Sequence, residues 1–196
     1  MEGLRRWLRD VVPPVALIVA IDLVVTLVFF GLSATPARIG TLRPLGTIPP
    51  KALELVLVGT GVGLAACVGA RRLDYSLLGL AIAFVALLDI DHLPSAFGIE
   101  QPIRPAHSFA FLALEVLALG VTFGRRPGVV LVGVAAFFGH VAGDTGIFAL
   151  FAPFSFDYTS IDAYKAPFGV IAVAFALAAG YASRRRQWTA KAPYSR

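Results

Sequence analysis

Three short stretches hold all 3 histidines of the chain. LLDIDHLP, residues 87–94, carries Asp89, Asp91 and His92; RPAHS, residues 104–108, carries Arg104, His107 and Ser108; GHVAGDTG, residues 139–146, carries His140 and Asp144. Asp89 and His92 are spaced i,i+3, and His140 and Asp144 i,i+4, so on helices each pair faces one way. Two helices that each offer a carboxylate and an imidazole form a mixed donor set suited to zinc, manganese or iron, with magnesium open because of the carboxylates. Asp91 joins that set only where its helix ends or bends, as Pro94 favours. His107 approaches as a further ligand or a general acid. A divalent ion held there acidifies a bound water and polarises an ester or phosphoryl oxygen. His107, Asp91 and Glu115 are the candidate catalytic groups, with Glu115 and Asp22 placed to orient ligand imidazoles or act as a base. Arg104 and Ser108 are the candidate substrate-binding residues, since a guanidinium matches the fork geometry of phosphate.

Such groups need a scaffold, and the composition says which kind. The 196 residues are 58% hydrophobic and 15% charged, where a soluble domain has about 25% charged residues. Mean hydropathy is +0.80. Too little polar surface remains for an ordinary soluble domain. Apolar runs approaching or exceeding roughly 18 residues predict membrane spans over about 11–32, 51–70, 75–93, 106–123, 129–150 and 165–182. Pro13 and Pro14 fall in the first turn of span 1, where a missing amide costs least. Gly59, Gly63, Ala66 and Ala70 give span 2 a small-residue face for close helix contact. The net charge of +5 does not point to nucleic acid, because the arginines cluster beside apolar runs, as orientation signals do. The lone Cys67 forms no internal disulfide.

With six spans, 12 of the 17 basic residues lie on the side of the termini, which the positive-inside rule assigns to the cytoplasm. The expected fold is therefore all-α: one polytopic domain over 1–196, a six-helix transmembrane bundle in the cytoplasmic membrane with both termini cytoplasmic. In that arrangement Asp89, His107, His140 and their neighbours converge in a pocket opening toward the extracytoplasmic face.

The same blocks resemble a family of bacterial and archaeal membrane-bound metal-dependent hydrolases, first filed as a domain of unknown function and also described as LexA-binding inner-membrane proteins. The resemblance covers roughly 73–184. It implies an Asp-x-Asp-His block at Asp89, Asp91 and His92, the end of a His-Ser block at His107 and Ser108, and a His-x-x-x-Asp block at His140 and Asp144. Arg104 and Pro105 stand where that family usually has a preceding histidine, and Pro153 and Phe154 fit its downstream proline–aromatic element. The expected function is hydrolysis of an ester or phosphoester in a membrane lipid or lipid-linked substrate, with no nucleic-acid partner and no protein partner identified. An ion or small-solute transporter and a non-catalytic partner-binding membrane protein are the alternatives.

Overall fold

The computed structural model describes residues 2–32, 48–90, 104–144, 147–155 and 157–191. In chain order these form α1 (Glu2–Leu32), α2 (Ile48–Ala70), α3 (Tyr75–Leu87), a 3-10 turn (Pro105–His107), α4 (Phe109–Phe123), α5 (Pro127–Gly143), the short strands β1 (Ile147–Phe148) and β2 (Thr159–Ser160), and α6 (Lys165–Lys191).

The all-α class holds in outline, but the six-helix transmembrane bundle does not. Among the described residues only three segments are long and apolar enough to cross a membrane: Glu2–Val28, Leu53–Ala70 and Lys165–Arg186. The helices α3, α4 and α5 have 13, 15 and 17 residues. At about 1.5 Å per residue even the longest reaches only about 26 Å, against a hydrocarbon core of about 30 Å. Their apolar character has another cause in α5, which is buried along most of its length by α2, α3, α4 and α6. A helix apolar all round is either lipid-facing or a core helix. The assignment of both termini to the cytoplasm rested on six crossings and falls with them. The three long helices remain consistent with a membrane-embedded protein, since no more than a third of each apolar window is buried.

Local chemistry sets the element ends. Helix α1 begins at Glu2, so Pro13 and Pro14 lie inside it and not in its first turn. They remove the amide donors that would have reached the carbonyls of Arg9 and Asp10. Helix α2 closes in a Schellman motif: the Arg71 amide donates to the Val68 carbonyl at 3.0 Å and the Arg72 amide to the Cys67 carbonyl at 3.2 Å. Arg71 takes the left-handed φ of 53° that this motif requires and that glycine usually supplies. Asp74 then caps α3, accepting from the amides of Ser76 and Leu77 at 3.2 and 3.3 Å.

Helices α2, α3, α5 and α6 form the central group; α1 packs on α3 and α4, and α4 on α5. The small-residue face of α2 is used on two sides. A Cβ at Gly59 would stand 2.6 Å from the Ile82 backbone of α3, and one at Gly63 2.9 Å from that of Leu78. On the other side, Gly180 of α6 lies directly against the Ala66 backbone carbonyl. Above this contact the core of Ala66, Leu80, Ala81, Phe84, Val132 and Ala135 is fully buried. Gly180→Val forces two backbones apart and is expected to destabilise the protein by roughly 1–3 kcal/mol, read as a lowered unfolding temperature in detergent. An unchanged temperature would refute the close α2–α6 contact.

Candidate metal centre

The end of α3 shapes the site. The Leu88 amide still donates to Phe84 at 3.3 Å, but the Asp89 amide turns to the Ala86 carbonyl at 3.4 Å, an i→i−3 bond. This tightening releases the Val85 carbonyl from its usual helical donor. His140 takes it: the imidazole Nδ1 stands 3.0 Å from the Val85 oxygen. A carbonyl only accepts, so Nδ1 carries a proton, and in the neutral ring Nε2 presents its lone pair. Histidines that ligate metals are oriented in this way, by a backbone or carboxylate acceptor at the other nitrogen.

What Nε2 of His140 faces is a cluster. It lies 3.0 Å from Nε2 of His107 and 3.5 Å from Oδ1 of Asp89. His107 Nε2 in turn lies 3.3 Å from Oδ2 of Asp144. Asp89, His107, His140 and Asp144 each offer one ligand atom, all within 4.8 Å of one another. Two imidazole nitrogens on a shared zinc, each at about 2.0–2.1 Å, stand about 3.3 Å apart when tetrahedral. The three short separations, 3.0, 3.3 and 3.5 Å, are close to such edges. Both histidines are almost completely buried, at 1% and 2% exposure. The donor set, two imidazoles and two carboxylates, fits a divalent transition metal or zinc.

Four elements deliver these groups. Asp89 leaves the end of α3. His107 ends the 3-10 turn that Pro105 starts. His140 and Asp144 come from the last turn and C-cap of α5, where the Asp144 amide still donates to the His140 carbonyl at 3.0 Å. The fourth element is β1, whose Phe148 ring stacks on the His107 imidazole at 4.8 Å and an interplanar angle of 4°. Strand β1 pairs with β2 through Ile147↔Ser160 and Phe148↔Thr159. The contributions of the Val85 carbonyl and of Phe148 carry no signal in the sequence: one is backbone, the other sits in an apolar run.

The remaining expected residues are placed as follows. Asp91 and His92 lie outside the described residues. Arg104 reaches Asp144 Oδ2 at 3.6 Å, and its guanidinium lies 5.5 Å from the Phe148 ring centre. The Ser108 hydroxyl donates to the Pro105 carbonyl at 2.8 Å and accepts from the Phe111 amide at 3.2 Å, so it serves as the N-cap of α4. Glu115 sits two turns into α4, buried against Gly133 and Leu119 and outside the four-residue group. Asp22 of α1 acts on it electrostatically.

No family model, curated protein or solved structure matches the chain. The resemblance to the membrane-bound hydrolases therefore rests on the residue blocks alone. What site and helices define together is a membrane-type protein with a buried two-histidine, two-aspartate cluster of metal-binding geometry.

His140→Ala and Asp144→Ala are each expected to weaken divalent-metal binding by more than the about 10–100-fold that losing an outer partner of a ligand costs. Glu115→Gln is expected to leave the stoichiometry unchanged. Elemental mass spectrometry of the purified proteins, after loading with zinc or manganese, decides both.

Proposed function

We propose that the protein is a membrane metallohydrolase that cleaves an ester or phosphoester bond in a lipid-like substrate. The observation that carries this reading is the pair of Nε2 atoms 3.0 Å apart, with the His140 ring fixed by the Val85 carbonyl and a carboxylate beside each. Two imidazole nitrogens this close share either a proton or a cation, and a carboxylate beside each favours a cation. A divalent ion held by these residues would supply Lewis acidity and would lower the pKa of a bound water to about 7.

The chain's own residues supply the rest. His107, His140 and one aspartate are sufficient to hold the ion, as three protein ligands are in catalytic zinc sites. The other aspartate is then available to accept a proton from the nucleophilic water. Arg104, more than a third exposed beside Asp144, is the group that meets an incoming phosphoryl or carboxylate oxygen. A lipid-like substrate is supported by the setting. Phe151 and Phe154, in the connection between β1 and β2, are exposed, and Phe109, on which Phe151 packs at 5.6 Å, joins Phe138 and Phe168 in an aromatic cluster with ring centres 5.3–6.4 Å apart.

Chelation is expected to abolish turnover of a lipid phosphoester by the full-length protein in mixed micelles, and zinc or manganese to restore it. Asp89→Asn should lower kcat by at least about 100-fold, the lower range for loss of an acid–base or ligand group. Arg104→Ala should act mainly on KM. Full turnover by the metal-free protein would overturn the reading.

A further inference from the structure

Helices α3 and α5 both run toward the histidine cluster from a second concave region. There, where α1, α3 and α5 begin and α6 approaches its end, lies a cavity of about 530 Å³. Asp89 and His140 sit at the opposite ends of α3 and α5, 12 or more residues along, which is on the order of 20 Å of helix.

Four arginines line this cavity, Arg6, Arg72, Arg126 and Arg186, against two carboxylates, Asp10 and Asp74. The carboxylates orient two of the arginines: Asp10 pairs with Arg126 at 3.1 Å and Asp74 with Arg72 at 2.7 Å. The lining keeps a surplus of two positive charges. A helix dipole adds to it. The first turn of α5, Pro127 to Val129, forms part of the wall, and Arg126 at its N-cap supplies no side-chain acceptor. Pro127 has no amide hydrogen and the Val129 amide donates to the Arg126 carbonyl at 2.9 Å, so this end contributes through its partial positive charge and not through a set of open amides. The N-terminus of α3 opens here too, but Asp74 already occupies its amides.

The wall is firm and its rim is apolar. The Trp7 indole donates to the Tyr75 carbonyl at 3.0 Å, tying α1 to α3. Leu73 and Tyr75 of the lining are exposed, as are Leu4 and Leu8 on α1, the membrane-length helix that also carries Arg6 and Trp7. Basic pockets between such helices suit anionic headgroups.

We propose that this cavity binds a phosphate group, carried by an anionic phospholipid headgroup or free in solution. Arginine forks, in a lining that counts four guanidinium groups against two carboxylates, are complementary to a phosphate dianion or diester. This site is independent of the histidine cluster and of any reaction there.

The test uses the full-length protein in neutral detergent, with phosphatidylglycerol, phosphatidylcholine and inorganic phosphate as probes, and dissociation constants read by native mass spectrometry and thermal shift. Phosphatidylglycerol is expected to bind and phosphatidylcholine to bind much more weakly. Arg6→Gln should weaken phosphatidylglycerol about tenfold, the loss of one charge-assisted contact. Arg5→Gln, an equal charge change one residue away and outside the lining, should leave it unchanged, as should His140→Ala. Stabilisation by millimolar inorganic phosphate, sensitive to Arg6→Gln, would identify a soluble source and also support the site. Equal weakening by Arg5→Gln and Arg6→Gln would reveal diffuse charge attraction and overturn the proposal. So would failure of both phosphatidylglycerol and phosphate to bind. The ligand-free unfolding temperature of Arg6→Gln checks that the variant is folded.

Discussion

The hydrogen bond from His140 to the Val85 carbonyl is the constraint on which the site depends. It exists because α3 tightens at its last turn and releases one backbone acceptor toward α5. A buried imidazole without such an acceptor would choose its own tautomer and rotamer. With it, one nitrogen is committed to α3 and the other is aimed at His107, Asp89 and Asp144. The bond therefore joins the fold to the chemistry: it spans the interface between two core helices and fixes which ring atom faces the cluster.

The surrounding protein makes that commitment worthwhile. Burying two imidazoles and two carboxylates in a chain this apolar is costly unless each finds a partner of opposite character. The cluster meets that requirement in part through the Arg104 contact to Asp144 and the flat stacking of Phe148 on His107. The histidines add to it through their contact with each other at 3.0 Å and with Asp89 and Asp144 at 3.5 and 3.3 Å. The opposite end of the same helices solves a different electrostatic problem, gathering arginines around two aspartates. Polar chemistry is thus concentrated at two ends of a common core, and between them the buried carboxyl groups of Glu115 and Asp22 lie among alanine, valine and leucine.

Much of the candidate site is legible in the sequence, because acids and histidines interrupting an apolar run are conspicuous. Asp89 marks the end of one run, and the i,i+4 spacing of His140 and Asp144 places both on one side of α5, as observed. His107 after Pro105 is legible as the start of an element. The extent of the helices is not. Residues 147–150 are as apolar as a span, yet β1 begins there after the backbone turns extended at Asp144. Hydrophobicity records that a side chain avoids water; it does not record whether lipid or another helix replaces it. For α5 the replacement is protein, so a run that reads as a membrane crossing is a core helix. The 3-10 exit of α3, which reassigns a single carbonyl, leaves no trace in residue types at all.

The stacking of Phe148 on His107 has a kinetic corollary. The imidazole leans on a ribbon joined, among the described residues, by two facing pairs, Ile147↔Ser160 and Phe148↔Thr159. Two backbone pairs alone would open at little free-energy cost, but Phe148, Leu150 and Ile161 are buried in the same apolar cluster as Phe137 and Val141 of α5. The ribbon is thus anchored by its side chains, and it would part only with a wider loosening of that cluster. The shelf beneath His107 would accordingly last as long as the packing around it.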